Sequence, residues 1–150
     1  MKKLKAILLG AGNRGLVYAD YAISNPERLE ITGVVEINKE NREEAKRRYS
    51  LPDRAVFNCI DDFLKANIKC DFVINATMDE AHYETTMKLI AAGYDILLEK
   101  PVTNNKKELL DIQRAANEKG VKIVRFETEI YDSAKKLPEK IGKAHRSTGR

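Results

Sequence analysis

Along most of its length the chain alternates short apolar runs with longer segments in which apolar residues recur every three or four positions. The runs Lys5–Leu9 (KAILL), Leu29–Glu36 (LEITGVVE), Asp71–Asn75 (DFVIN), Tyr94–Leu98 (YDILL) and Val121–Val124 (VKIV) are compact and mostly aliphatic, and Ala55–Phe57 is a shorter one. Each has the length and composition of a strand. Between them lie helical segments. Asn13–Asn25 sets Leu16, Ala19 and Ile23 on one face and is stopped by Pro26. Lys39–Tyr49 is a charged helix ending ahead of Pro52, its KENREEAKRR run reading as a solvated face with pairs four residues apart. Ile60–Ala66 is a short helix with Asn58 as a candidate cap. Glu80–Ala92 carries Tyr83, Met87 and Ile90 on one face and meets Gly93, and Asn104–Lys119 turns Leu109, Ile112 and Ala116 inward and meets Gly120. Glycine suits both stops because it adopts the left-handed conformation that ends many helices.

Strands separated by helices need crossover connections. That predicts an α/β fold, a doubly wound parallel sheet of about six strands in a three-layer α/β/α arrangement. Near-continuous apolar strands agree, since such a sheet is covered on both faces. Residues 1–124 account for this domain. Beyond Val124 the pattern decays: residues 125–150 read as one more helix over Thr128–Leu137 and a loose tail, in which Lys143–Arg150 has only Ala144 to offer a core.

Composition narrows the function. A chain of 150 residues, 43% hydrophobic and 33% charged, suits one globular domain. The net charge of +4 sits largely in Met1–Lys5 and Lys135–Arg150, so the body is near neutral and carries no nucleic-acid footprint. No run approaches the ~20 apolar residues of a membrane span, and Ala6–Leu9 is too short for a signal peptide. A cytoplasmic protein is expected. Cys59 and Cys70 lie in or beside apolar stretches without metal-ligand spacing, which reads as two buried thiols in a reducing compartment and no metal site.

The chemistry concentrates at strand ends. Gly10-Ala11-Gly12-Asn13-Arg14-Gly15 follows the first strand and opens the first helix. In that context the spacing has physical meaning. Gly10 permits a tight turn, Gly12 lets backbone approach a pyrophosphate, and Gly15 lets helix and strand pack closely. The amides at the helix start, Asn13 and Arg14 among them, face the phosphates. The second strand ends at Glu36, 21 residues past Gly15, where a carboxylate accepts hydrogen bonds from the adenosine ribose. An acid there favours NAD over NADP, although Lys39 and Arg42 stand near enough to keep NADP open. The alternative for Glu36 is a strand-end glutamate in solvent.

The fourth strand ends in Asn75-Ala76-Thr77-Met78-Asp79-Glu80-Ala81-His82 and the fifth in Glu99-Lys100-Pro101. The stretch NATMDEAHYETTMKLIAAGYDILLEKPVT resembles the Gfo/Idh/MocA family of oxidoreductases, whose members carry a Thr-Pro-x-x-x-His-like segment and, some 17 residues later, Glu-Lys-Pro. The resemblance runs from Leu4 to about Val124, with a fainter echo to Gly142. It implies a Rossmann domain that binds NAD(P). Thr77 and His82 would lie beside the nicotinamide ribose, and Glu99 and Lys100 would reach the nicotinamide end. Lys100 would also be the catalytic group, its ammonium bonding a substrate hydroxyl or carbonyl and managing the proton that accompanies hydride transfer. Pro101 fixes the backbone after it. Met78 stands where proline is usual, a departure expected to loosen that loop. His82 as a helix opener, Glu99–Lys100 as an exposed pair and Arg125 as a surface arginine are the plainer alternatives.

The family implies a second domain that supplies most of the substrate pocket, and residues 125–150 read as the start of that missing domain. His145, in the tail, is no base. The implied reaction is hydride exchange between the nicotinamide and a carbinol carbon of a sugar, polyol or related metabolite. The chain alone is expected to bind cofactor and turn over little, and its uncovered surfaces are expected to make it self-associate as a homo-oligomer. Two other readings stand beside this one: a non-catalytic NAD(H) sensor or scaffold using the same pocket, and a methyltransferase, against which Glu-Lys-Pro argues.

Overall fold

The computed structural model describes residues 2–99 and 102–125. Six strands form one parallel sheet: β1 (Leu4–Leu9), β2 (Leu29–Val35), β3 (Val56–Phe57), β4 (Phe72–Asn75), β5 (Ile96–Leu98) and β6 (Ile123–Arg125). Their spatial order is β3-β2-β1-β4-β5-β6. All five neighbouring pairs are parallel. The order reverses between β1 and β4, and ligands of open parallel sheets bind beyond the strand ends at such a switch point. The expected doubly wound sheet is therefore the one observed.

Alternating residues of each strand feed two cores. Ala6 and Leu8 of β1 join Ile31, Phe72 and Ile74 beneath α1 (Asn13–Ala19), α2 (Tyr21–Ser24) and α3 (Lys39–Arg48). Ile7 and Leu9 join Val73, Ile96 and Leu98 on the opposite side, beneath α4 (Ile60–Ala66), α5 (His82–Ala91) and α6 (Lys106–Lys119). Every residue of β4 and β5 is buried, as strands covered on both faces require.

The helices depart from the sequence expectation in instructive ways. The first is split at Asp20. The Asp20 carboxylate accepts from Arg48 Nε at 2.7 Å and from the Tyr49 hydroxyl at 2.9 Å, which ties the α1–α2 junction to the end of α3. Tyr18, Ala19, Tyr21 and Ala22 face the core, whereas Ile23, expected inside, is 54% exposed. Two tyrosine rings bury more area than one isoleucine, and they set the rotation of the helix. The helix expected from Glu80 begins as a 3-10 turn, Asp79–Ala81, before α5. Its sheet-facing residues are Thr85, Thr86, Leu89 and Ile90. Tyr83 and Met87 are half-buried, and Tyr83 reaches across to Asp111 of α6 at 3.2 Å. The α4 cap is Cys59, which makes no side-chain cap bond, rather than Asn58. Gly93 and Gly120 end their helices with positive φ, as expected.

Both cysteines are free and half-buried rather than fully buried. Burial pushes the Cys70 thiol up to about 12. Among the described residues no helix is long and apolar enough to cross a membrane, and no group of His, Cys, Asp and Glu forms a metal site. The expected helix over 128–137, the tail and His145 lie outside the described residues.

Candidate functional site

The glycine turn is built by three glycines with different reasons. Gly10 has φ +90°, and a Cβ there would stand 2.5 Å from the Ala76 carbonyl oxygen at the end of β4. A Cβ on Gly15 would collide with the Gly10 carbonyl oxygen and press on the Ala76 methyl at 3.3 Å. Both serve the packing of turn, helix and β4. Gly12 is different. Its φ of −74° is ordinary for any residue, and a Cβ there would meet nothing within 4 Å. Nothing among the chain's own described atoms requires glycine at position 12.

Glu36 follows β2, and the structure brings it to this turn. Its Oε2 accepts from the Ala11 amide at 3.1 Å, and its Oε1 faces Asn41 Nδ2 at 3.4 Å. It is half-buried, not a solvent-facing strand end. Arg42, which kept the phosphate-bearing cofactor open, turns its NH1 onto the main-chain oxygens of Glu36 (2.8 Å) and Ile37 (3.2 Å). Lys39 is exposed at the first position of α3, which is capped by Asn38 accepting from the Asn41 amide at 3.0 Å.

On the other side of the switch point, Asn75 ends β4 fully buried. Its Nδ2 donates to the hydroxyls of Thr85 (2.9 Å) and Thr86 (3.2 Å), and its Oδ1 accepts from the Thr77 hydroxyl (2.8 Å) and amide (3.3 Å). The loop after β4 is thereby anchored to α5. Met78 has φ −64° and ψ 153°, the backbone proline itself adopts. His82 opens α5 and is wholly withdrawn from solvent.

Glu99, directly after β5, is 6% exposed, so it is no exposed surface acid. Its amide donates to the Asn75 carbonyl at 3.2 Å. Its Oε1 accepts from Arg14 NH1 at 2.8 Å and from the Tyr18 hydroxyl at 3.3 Å. Arg14 and Tyr18 lie one turn apart on α1. The hydrogen bond to Glu99 raises the Arg14 guanidinium above its ordinary value. Burial first, and then the Glu99 charge, push the Tyr18 hydroxyl up to about 12, so Tyr18 stays a donor at neutral pH. Asn13 is exposed beside this pair. Lys100 and Pro101 lie outside the described residues. Arg125 ends β6 and is exposed.

Sequence reasoning singled out Gly10, Gly12, Gly15, Glu36, Thr77 and Glu99, and these surround one switch point. It did not foresee the hydrogen bonds by which Tyr18 holds Glu99 and Asn75 holds Thr77 and Thr85. The signals existed: Tyr18 stands four residues after Arg14 on one helix, and Asn75 is the lone polar residue closing an apolar strand.

A family model described as an oxidoreductase family with an NAD-binding Rossmann fold matches residues 4–127. A scyllo-inositol 2-dehydrogenase (NADP(+)) of Bacillus subtilis (strain 168) is 30% identical over 130 residues, covering 87% of this chain and 35% of that protein. An NAD-binding protein from Listeria innocua superposes with a TM-score of 0.73 at 28% identity, over 88% of this chain and 37% of that one. GenD2 from gentamicin A biosynthesis, solved in complex with NAD, gives 0.73 at 25% identity, over 83% and 34%. The chain thus spans about a third of the length of the relatives it matches. It belongs to the Gfo/Idh/MocA family of oxidoreductases, to whose NAD-binding Rossmann domain its residues 4–127 correspond.

Proposed function

We propose that this chain binds NAD(H) at the switch point, with Gly10, Gly12, Gly15 and Glu36 on the adenosine half and Thr77, His82, Glu99 and Lys100 on the nicotinamide half. The open space before Gly12 carries this reading. A glycine with ordinary dihedrals and no neighbour is unexplained by packing, and a pyrophosphate approaching the backbone explains it. Asn13 and Arg14 flank the same approach.

NAD is the cofactor we assign in preference to NADP. A 2′-phosphate on the adenosine ribose would meet the Glu36 carboxylate, while the Arg42 NH1 that could offset it is engaged by two carbonyls. The relative from Bacillus subtilis is named for NADP(+), so this point needs its own experiment. Titration with NADH and NADPH of the wild type and of Glu36→Ala decides it. Wild type should prefer NADH by at least about tenfold, the worth of one good hydrogen bond to a charged group. Glu36→Ala should lose most of that preference. Equal affinity for both cofactors in the wild type would refute the assignment.

For the whole protein we propose hydride exchange with a carbinol carbon of a sugar, polyol or related metabolite. The nicotinamide supplies or accepts the hydride when bound. The chain's own part is to hold the dinucleotide at the strand ends and to offer Lys100, next to Glu99 in sequence, as the group that bonds the substrate oxygen and handles its proton.

A further inference from the structure

Arg14 and Glu99 join two parts of the sheet that are not neighbours. Arg14 follows β1 and Glu99 follows β5, with the end of β4 between them. If Glu36 receives the adenosine ribose beyond β2, the other half of a dinucleotide extends past the glycine turn toward β4 and β5. Arg14 lies on that side. Its two ends live in different surroundings: the side chain is 74% exposed, while the carboxylate it grips is 7% exposed. A guanidinium presents five N–H donors in a rigid fork, of which Glu99 takes one from NH1.

We propose that Glu99 is a positioning residue: its buried carboxylate, steadied by the Tyr18 hydroxyl, anchors the exposed Arg14 guanidinium as a clamp for the phosphate on the nicotinamide side of a bound dinucleotide. This rests on the NAD-binding reading above and refines it, since Glu99 then acts through Arg14 and not on the nicotinamide ring. The sign of its effect is distinctive. Removing a carboxylate near an anion site ordinarily strengthens anion binding, because a repulsion is lost. Removing an anchor weakens it, because Arg14 must then be ordered at the moment of binding.

The test is titration of the full chain with NADH, ADP-ribose and AMP, for the wild type, Glu99→Gln, Arg14→Gln and the double variant. ADP-ribose carries both phosphates without the nicotinamide ring, and AMP carries only the adenosine-side phosphate. The expected result is a loss of about tenfold for NADH and ADP-ribose in each single variant, an unchanged affinity for AMP, and no additional loss in the double variant. Arg14→Gln leaves the Tyr18 hydroxyl donating to Glu99 and removes only an exposed side chain, so it should fold, and it carries the same prediction if Glu99→Gln does not. Loss of NADH affinity with ADP-ribose unchanged would overturn the proposal by placing Glu99 on the nicotinamide. Tighter binding by Glu99→Gln, or an equal loss for all three ligands, would overturn it too. A wild type that binds none of them refutes the NAD-binding reading itself, an outcome distinct from any variant effect.

Discussion

The side of Gly15 on which a Cβ would grow is occupied by the carbonyl oxygen of Gly10, five residues earlier in the same turn. A Cβ on either glycine would also meet Ala76, just past the end of β4. Gly15→Ala should therefore cost several kcal/mol, at or above the ~1–3 kcal/mol usual for overpacking, because the obstacle is backbone. Gly12→Ala should stay within about 1 kcal/mol of the wild type, the scale of an N-cap exchange. Thermal melts of the two variants check the contrast. Comparable melting temperatures would mean that the turn is more yielding than its geometry shows.

Met78 already holds the backbone that proline requires, φ −64°. Met78→Pro should stabilise the chain by about 0.4–1 kcal/mol, through a less free unfolded state. A higher denaturant midpoint at an unchanged slope is the expected observation. A lower midpoint would show that the loop after β4 depends on a freedom proline lacks.

Asn75 satisfies both ends of its amide inside the protein, with two threonine hydroxyls on one side and Thr77 on the other. Asn75→Leu keeps the volume but strands those partners. The expected cost is about 2–4 kcal/mol, at or somewhat above the ~1–3 kcal/mol of one buried group left unsatisfied. Chemical denaturation measures it, and a loss below experimental error would mean that water replaces the side chain.

Buried hydroxyl and thiol groups also set how the fold yields to alkali. Tyr18 and Cys70 both titrate near 12 in the folded chain, from ordinary values of 10.0 and 9.0, and Tyr49 is raised in the same direction by burial. Each is held in its protonated form, so the stability it contributes is complete below its unfolded value and is lost as pH rises through its folded value. Stability should fall steadily from about pH 9 to about pH 12. Tyr18→Phe should flatten part of that slope. An alkaline loss of stability equally steep in the wild type and in Tyr18→Phe would contradict the burial of this hydroxyl.

Much of this was legible in the sequence, for identifiable reasons. Alternating strands and helices, with apolar runs such as DFVIN too continuous for a half-exposed sheet, led to the doubly wound order that the structure has. The glycine spacing located the turn, and Glu36 was found by its distance from Gly15. The misses arose where a long-range contact outweighed a local pattern. Ile23 sits at a correct helical spacing, yet the helix breaks where Arg48 and Tyr49 hold Asp20, and the tyrosines take the core instead. Glu99 stood out by its place after the fifth strand, but its partner Arg14 lies 85 residues away, a pairing that no local pattern encodes. Met78 looked like a defect because residue type alone does not show the dihedral a loop adopts.

Calorimetric titration with NADH of the wild type and of Gly12→Val tests cofactor binding at the glycine turn most directly. A Cβ there meets no described atom within 4 Å apart from its chain neighbours, so the variant should still fold, at a stability within about 2 kcal/mol of its parent, the scale of an N-cap exchange. The wild type should bind NADH at micromolar strength and the variant not at all. A folded wild type that binds no NADH, or a variant that binds it equally well, would contradict the claim that the space before Gly12 belongs to the cofactor.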